Sequence, residues 1–295
     1  MRILILGGGG MLGHRLSRAW ASHFDVWATY LKPALAYQHF HLLDEAHQFG
    51  EIQAEKLEDI QSVIQKVNPD VVINAIGIVK QRQESSSRKI ANSINAVFPH
   101  QLAALCQKNH CRLIQISTDC VFSGKKGHYS EMDQPDPVDA YGMAKLLGEV
   151  DEDDVLTLRT SLVGWELENR LSLMEWFAAQ RGKSVSGYRK AVFSGFTTQA
   201  MGTLLEQIIL QQPELSGIFH LASEPINKYD LLMLCKSGLG WQDIDLQPQD
   251  DFVIDRSLDG SEFNTIMQWQ IPSWTKMVED LCLDWLWYQP YRQEK

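Results

Sequence analysis

The chain has 295 residues, 44% of them hydrophobic, enough to bury a substantial core in one large domain or a domain with a smaller lobe, and disorder is excluded. With 27 Lys and Arg against 37 Asp and Glu the formal charge is -10, so no global basic field gathers nucleic-acid phosphates or anionic lipid, and neither is an expected partner. Five cysteines (Cys106, Cys111, Cys120, Cys235, Cys282), an odd set with no CxxC pair, fit reduced thiols better than disulfide or zinc frameworks, and a soluble, cytoplasmic protein is expected.

Ile3 to Leu6 reads as a buried strand; as an apolar run it is too short for a signal-peptide core or a membrane span, and Gly7 to Gly10 cut it off. A helix is expected from Met11 to Ser22, then a strand from Asp25 to Tyr30. Leu31 to Gly50 has weak periodicity and reads as an irregular or helical excursion. Leu57, Ile60, Val63, Ile64 and Val67 recur at helical spacing until Asn68-Pro69 stops the run, and Val71 to Ile73 follows as a strand. A helix from about Ala91 to Asn109, bent near Pro99, leads to the strand Arg112 to Ile116. After a polar loop with Pro135 and Pro137 come a helix from Ala140 to Val150 and the strand Val155 to Leu158. Thr197 to Leu210 reads as a helix and Gly217 to Leu221 as one more core strand.

Alternating strands and helices imply right-handed crossovers and a parallel sheet covered on both faces, which explains strands that are apolar throughout. The expected fold is α/β: a Rossmann-type, doubly wound parallel sheet over residues 1–164, completed by about 195–222. Residues 165–194 and 223–295, rich in tryptophan, are expected to build a smaller C-terminal lobe, with the tryptophans as ordinary packing.

Gly7, Gly10 and Gly13 stand at three-residue spacing between strand and helix. Glycine there allows a sharp turn, close approach of backbone to a pyrophosphate, and tight packing of helix on sheet, while the helix N-terminus offers free N–H groups and a positive dipole end. A glycine-rich turn without ligand is the plainer alternative, but the context after a first strand favours a dinucleotide. An acidic residue about 20 positions on would bond the ribose 2′-OH of NAD. The second strand ends instead in Ala28-Thr29-Tyr30 with Lys32 following and Arg15 in reach, so NADP(H) is favoured and NAD(H) remains open.

Tyr141 and Lys145 lie four apart, on one helix face. That spacing alone is cheap, as Tyr291 and Lys295 share it. Its place is not: the helix follows the strand and loop carrying Ser117-Thr118-Asp119, whose hydroxyls lie at the C-terminal edge of a parallel strand, where ligands bind. A phenol with an ordinary pKa near ~10 exchanges protons poorly at neutral pH, so an adjacent ammonium, Lys145, is expected to bring it down. Thr118 can then hold a substrate oxygen while Tyr141 gives it a proton. No HExxH or other metal-ligand spacing occurs, nor any GxSxG, so neither a metal site nor a serine hydrolase is indicated.

Gly7 to Gly13, Asn74-Ala75-Ile76-Gly77, Ser117-Thr118-Asp119-Cys120-Val121-Phe122 and Tyr141-Gly142-Met143-Ala144-Lys145 occur in this order. Together they resemble the dTDP-4-dehydrorhamnose reductase family, a reductive branch of the extended short-chain dehydrogenases/reductases. Weaker likeness continues through Leu158-Arg159-Thr160-Ser161 and Gly217 to Leu221. The resemblance implies an NAD(P)H-dependent oxidoreductase acting on a nucleotide-linked 4-keto-6-deoxy sugar for polysaccharide synthesis, with Thr118, Tyr141 and Lys145 as catalytic triad. It implies that Gly7, Gly10, Met11, Leu12 and Gly13 surround the pyrophosphate and that Ala75, Ile76 and Gly77 line the adenosine side or ribose. Asn95 supports the site, Thr118 and Asp119 meet the substrate, and the lobe binds the sugar nucleotide. A homodimer is the family expectation.

Met11, Cys120 and Ala144 depart from the family pattern, and Cys120 is expected to face the sugar pocket. The substrate diphosphate needs a local cation, for which Lys80, Arg82, Arg88, Lys89, Arg189, Lys190 and Arg256 are candidates, with Lys80 and Arg189 carried forward as substrate-binding. Two other readings stay open: an epimerase or dehydratase retaining NAD, and a non-catalytic cofactor-binding regulatory subunit.

Overall fold

A computed structural model of the chain describes residues 1–78 and 88–292. Strands β1 (Arg2–Leu6), β2 (Asp25–Thr29), β3 (Gln48–Phe49), β4 (Val71–Asn74), β5 (Arg112–Ile116) and β6 (Val155–Arg159) alternate with helices. Shorter strands follow: β7 (Leu162–Val163), β8 (Ser184–Tyr188), β9 (Ala191–Phe193), β10 (Phe196–Thr197), β11 (Gly217–His220), β12 (Ile226–Asn227), β13 (Asp245–Gln249) and β14 (Ile254–Asp255). The helices are α1 (Met11–Trp20), α2 (Leu57–Val67), α3 (Arg88–Asn92), α4 (Phe98–Lys108) and α5 (Ala140–Leu147), then α6 (Leu173–Ala178), α7 (Thr198–Gln211), α8 (Lys228–Gly238), α9 (Ser261–Met267) and α10 (Trp274–Tyr288).

The main sheet has seven parallel strands in the order β11-β6-β5-β4-β1-β2-β3. The order reverses between β1 and β4, which opens a crevice at their C-terminal ends. Ile3 to Leu6 are fully buried because both faces are covered. Leu4, Leu6, Val72 and Leu113 meet α2 and α4 on one side. Ile3, Ile5, Ile73, Ile114 and Leu156 meet α1, α7 and the C-terminal half on the other. That second core is continuous with the tail tryptophans: Trp165, Trp241 and Trp285 pack ring on ring with Tyr288 behind them.

Local differences from the sequence expectation have identifiable causes. The excursion after β2 contains a 3₁₀ helix, Ala34–Phe40, and the two-residue edge strand β3, too short to carry a period. The bend expected near Pro99 is a π-helical turn over Ser93–Val97; Pro99, in the first turn of α4, has no N–H for the carbonyl four residues back. Helix α5 stops at Leu147 rather than Val150, with Gly148 as its cap. The segments outside the main sheet form two small sheets, β12-β9-β14 and β13-β8, with β7 and β10 paired separately. Among the described residues no helix is long and apolar enough to cross a membrane, and no cluster of His, Cys, Asp and Glu is arranged to hold a metal.

Candidate active site

The glycine turn stands at the switch point, between the C-terminal ends of β1 and β4. Gly7 has φ +86°, a backbone that side chains rarely adopt, and a Cβ on Gly13 would sit 2.2 Å from the Gly7 carbonyl oxygen. Only glycines let α1 start this close to the end of β1. The residue before α1, Gly10, offers no side-chain cap, and the first turn carries no acid. The leading N–H groups of α1 and its positive dipole end are thus left for an anion from outside the chain. Gly7 touches Ala75, the first residue after β4, so both wall segments meet at the switch point.

Both polar atoms of Asn95, in the π turn, are taken by the backbone of Ile78: Oδ1 accepts its N–H at 3.0 Å and Nδ2 donates to its carbonyl at 2.9 Å. Asn95 therefore acts on the Ala75–Gly77 wall from behind. Asn74 supports the same wall, accepting the Ile76 N–H at 3.1 Å and donating to Gln115 at 2.7 Å.

At the adenosine end, Tyr30 occupies the position after β2, stacked on Tyr37 with ring centroids 4.4 Å apart and packed beside Gly8. Among the described residues the buried Tyr30 hydroxyl has no partner. Lys32 is bound to Glu168 at 2.7 Å, and Tyr37 donates to the same carboxylate at 3.3 Å. Sequence reading missed Glu168, which lies 136 residues from Lys32. Arg15 faces Asp284 at 3.7 Å on the far side of α1. An uncapped helix start, a turn that only glycine fits and an orphaned buried hydroxyl together suit a dinucleotide diphosphate with its ribose.

Thr118 follows the end of β5, is 7% exposed, and accepts the Cys120 N–H at 3.2 Å, opening the short 3₁₀ turn Asp119–Val121. Asp139 caps α5 by accepting the Gly142 N–H at 2.8 Å. A Cβ on Gly142 would lie 2.2 Å from the Cys120 carbonyl oxygen, so glycine after Tyr141 is what lets α5 press against this turn. The Tyr141 phenol is consequently set close enough to Thr118 to feel its hydroxyl, which itself donates to Asp119 Oδ1 at 3.3 Å. One turn on, Lys145 is 6% exposed and its Nζ donates to the Ile116 carbonyl at 2.7 Å.

The electrostatics differ from the sequence expectation. Burial, then Cys120, holds the Tyr141 phenol above its ordinary range, and the neighbouring Thr118 hydroxyl draws it down. Burial pushes Lys145 down to about 8, opposed by Glu149. Desolvation thus outweighs the acidification expected of Lys145, whose ammonium is turned to a backbone carbonyl. Tyr141 is a neutral phenol, and Lys145 is still mostly charged at neutral pH.

Under the triad runs a buried polar network. The Glu149 carboxylate accepts from Ser117 Oγ at 2.6 Å and from Arg159 Nε and Nη2 at 2.9 and 2.7 Å. Arg159 also donates to His220 Nε2 at 3.2 Å, which fixes the Nδ1–H tautomer pointing at the Tyr129 carbonyl, 2.9 Å away.

Asp119 is buried beside Thr118, and burial raises its pKa against the pull of Arg256 and Lys228. Arg256 reaches in from the C-terminal segment, donating to the Phe122 carbonyl at 3.0 Å and to Cys120 Sγ at 3.4 Å. Lys228, at the start of α8, feels Asp119 and Cys120 and is itself lowered by burial. Sequence reading had Arg256 as a candidate and missed Lys228; an isolated lysine 109 positions from Asp119 carries no local signal. The expected substrate cation Arg189 lies elsewhere, paired with Asp250 on the half-exposed edge of β8 and β13. Lys80 and Arg82 lie outside the described residues.

Residues 1–234 match the family model described as the RmlD substrate binding domain. A dTDP-4-dehydrorhamnose reductase of Aggregatibacter actinomycetemcomitans is 27% identical over 295 residues, 96% of this chain and 90% of that one. Methionine adenosyltransferase 2 subunit beta of Xenopus laevis is 24% identical over 264 residues, 85% of this chain and 75% of that one. Among solved structures, dTDP-4-dehydrorhamnose reductase from Bacillus anthracis in complex with NADP superposes with a TM-score of 0.79 at 20% identity, covering 96% of this chain and 99% of that one. The doubly wound sheet, the glycine turn at its switch point and the match over most of the length agree: the chain belongs to the dTDP-4-dehydrorhamnose reductase family.

Proposed function

We propose that the protein is an NAD(P)H-dependent reductase of a nucleotide-linked 4-keto-6-deoxy sugar of the dTDP-4-dehydrorhamnose type, working in the cytoplasm in deoxysugar synthesis. The observation that carries this is the Tyr141 phenol set beside Thr118 at the C-terminal edge of the sheet, two strands over from an uncapped glycine turn, in a chain of this family.

The cofactor would be held by the backbone of Gly7, Gly10, Met11, Leu12 and Gly13, by the Ala75–Gly77 wall, and by Tyr30 and Lys32 at the ribose. When bound, a reduced nicotinamide supplies hydride to a carbonyl carbon. Thr118 and Tyr141 then hold the carbonyl oxygen between two hydroxyls. As charge develops on that oxygen the Tyr141 phenol, neutral because it is buried, gives up its proton. Lys145, charged at neutral pH, stabilises the phenolate so formed and restores its proton. Arg256 and Lys228 supply the positive charge that a sugar-nucleotide diphosphate needs beside the buried Asp119.

For the cofactor, the absence of an acid at the end of β2 favours NADPH. The Lys32 to Glu168 pair leaves little net charge there, so NADH is used as well, less efficiently. The likeness to an adenosyltransferase subunit raises the reading of a binding subunit without turnover; the intact Thr118, Tyr141 and Lys145 set favours catalysis.

The test is a screen of dTDP-, UDP- and GDP-linked 4-keto-6-deoxyhexoses with NADPH and with NADH, following nicotinamide absorbance. Consumption of NADPH with the dTDP substrate is expected. No consumption with any ketone, together with tightly held NAD that does not exchange, would move the assignment to an epimerase or dehydratase.

A further inference from the structure

The glycine turn is held from a direction that the triad does not use. The Gly10 carbonyl, at the mouth of α1, accepts the His14 backbone N–H at 3.1 Å and is met by His14 Nδ1 at 2.7 Å. A carbonyl only accepts, so Nδ1 carries the ring proton. The other ring nitrogen, Nε2, then has a lone pair, and the Tyr288 hydroxyl donates to it at 2.6 Å. His14 is 0% and Tyr288 1% exposed, so no water competes for either bond. Burial, with Arg18, Arg15 and Arg292 nearby, pushes His14 down to about 3, which keeps the ring neutral and the proton order fixed.

Tyr288 stands at the end of α10, 274 residues from His14 and beyond the 1–234 stretch that the family model matches. The helix is bolted to α1 a turn earlier as well: Asp284 binds Arg18, and Gln199 of α7 donates to the same carboxylate at 2.7 Å. Farther back on α10, Trp165 Nε1 donates to the Leu281 carbonyl at 2.9 Å. The C-terminal helix is therefore a fixed strut rather than a loose tail.

We propose that Tyr288, acting through His14, is a positioning residue for the dinucleotide loop: it orients the imidazole that anchors the Gly10 carbonyl, and so sets the direction of the N–H groups at the start of α1. The inference rests on the cofactor reading above for its ligand, but the anchoring itself can be measured without it.

Two variants separate anchoring from packing. Tyr288→Phe leaves His14 Nε2 buried without a donor. The pair His14→Leu with Tyr288→Phe removes both polar groups, so stability recovers toward wild type while the Gly10 anchor stays lost. The expected result is NADPH binding weakened about tenfold in the double variant, with kcat at saturating NADPH within about twofold of wild type. In both variants, cofactor-free hydrogen exchange at the amides of positions 10 and 14, which are bonded to the Gly7 and Gly10 carbonyls, is expected to be faster than in wild type. Unchanged exchange at these amides in both variants, or NADPH affinity equal to wild type in both, would overturn the proposal. A wild-type protein that binds no NADPH would refute the cofactor reading, and the exchange measurement would still decide the anchor.

Discussion

Replacing Glu149 by Gln tests whether the buried network under the triad supports it. Glu149 and Arg159 side chains are 3% and 7% exposed, and the carboxylate takes three hydrogen bonds, two from the guanidinium and one from Ser117. Removing one partner of a buried pair strands the other charge, which costs roughly 3 to 5 kcal/mol. Gln keeps one acceptor, so the lower end applies, about 3 kcal/mol, or a fall in Tm of roughly 6 to 12 °C for a chain of this size. The electrostatic consequence is separate. Glu149 opposes the burial that brings Lys145 to about 8; without it, and with Arg159 no longer neutralised, Lys145 loses its proton at lower pH. The alkaline limb of the pH profile of kcat/KM then moves toward acid, which a thermal melt and a rate series from pH 6 to 9 detect together. A variant that melts with wild type and keeps its alkaline limb would refute the reasoning that this network holds Ser117 and Lys145. Replacing Arg159 by Met in the same chain restores much of the melting temperature but not the limb.

Three shorter tests follow. Gly13→Ala puts a methyl 2.2 Å from the Gly7 carbonyl oxygen, backbone that cannot swing aside, so the variant fails to bind NADPH at concentrations that saturate wild type, read by fluorescence titration. His14 and His220 are both fully buried, with pKa values lowered to about 3 and about 4 from 6.5. Both rings stay neutral in the folded chain while the unfolded chain protonates them, so stability is full above pH 6.5 and falls as the pH drops toward 4, by about 1.4 kcal/mol per pH unit for each histidine. Denaturant melts at pH 7, 6 and 5 measure this, and equal midpoints would contradict it. Glu168→Gln frees Lys32 from its pair, which raises the ratio of NADPH to NADH efficiency several-fold; an unchanged ratio would place the ribose away from Lys32.

The parts of the site that local pattern encodes were legible in the sequence. Ile3 to Leu6 followed by glycines fixes a strand, a turn and a helix start by sterics alone, and Tyr141 and Lys145 share a helix face by spacing. Alternation of apolar strands with helices was enough for the doubly wound sheet. Two kinds of information were not local. Lys228, Glu168 and Tyr288 reach the site only through packing of segments more than a hundred residues from their partners, and nothing in their own neighbourhoods marks them. The second kind is desolvation: the four-residue spacing from Tyr141 to Lys145 suggests an acidified phenol, but burial sets its sign, and burial is known only once the Cys120 turn closes on Gly142. Arg189, a reasonable cation on paper, is consumed by Asp250, which the parallel pairing of β8 and β13 brings beside it.

The central claim is that Tyr141 gives the proton while the glycine turn holds the dinucleotide, and comparing Tyr141→Phe with wild type tests it most directly. With NADPH and a dTDP-4-keto-6-deoxyhexose, turnover is expected to fall by roughly two to four orders of magnitude while the NADPH dissociation constant stays within about twofold. A variant as active as wild type would contradict the account.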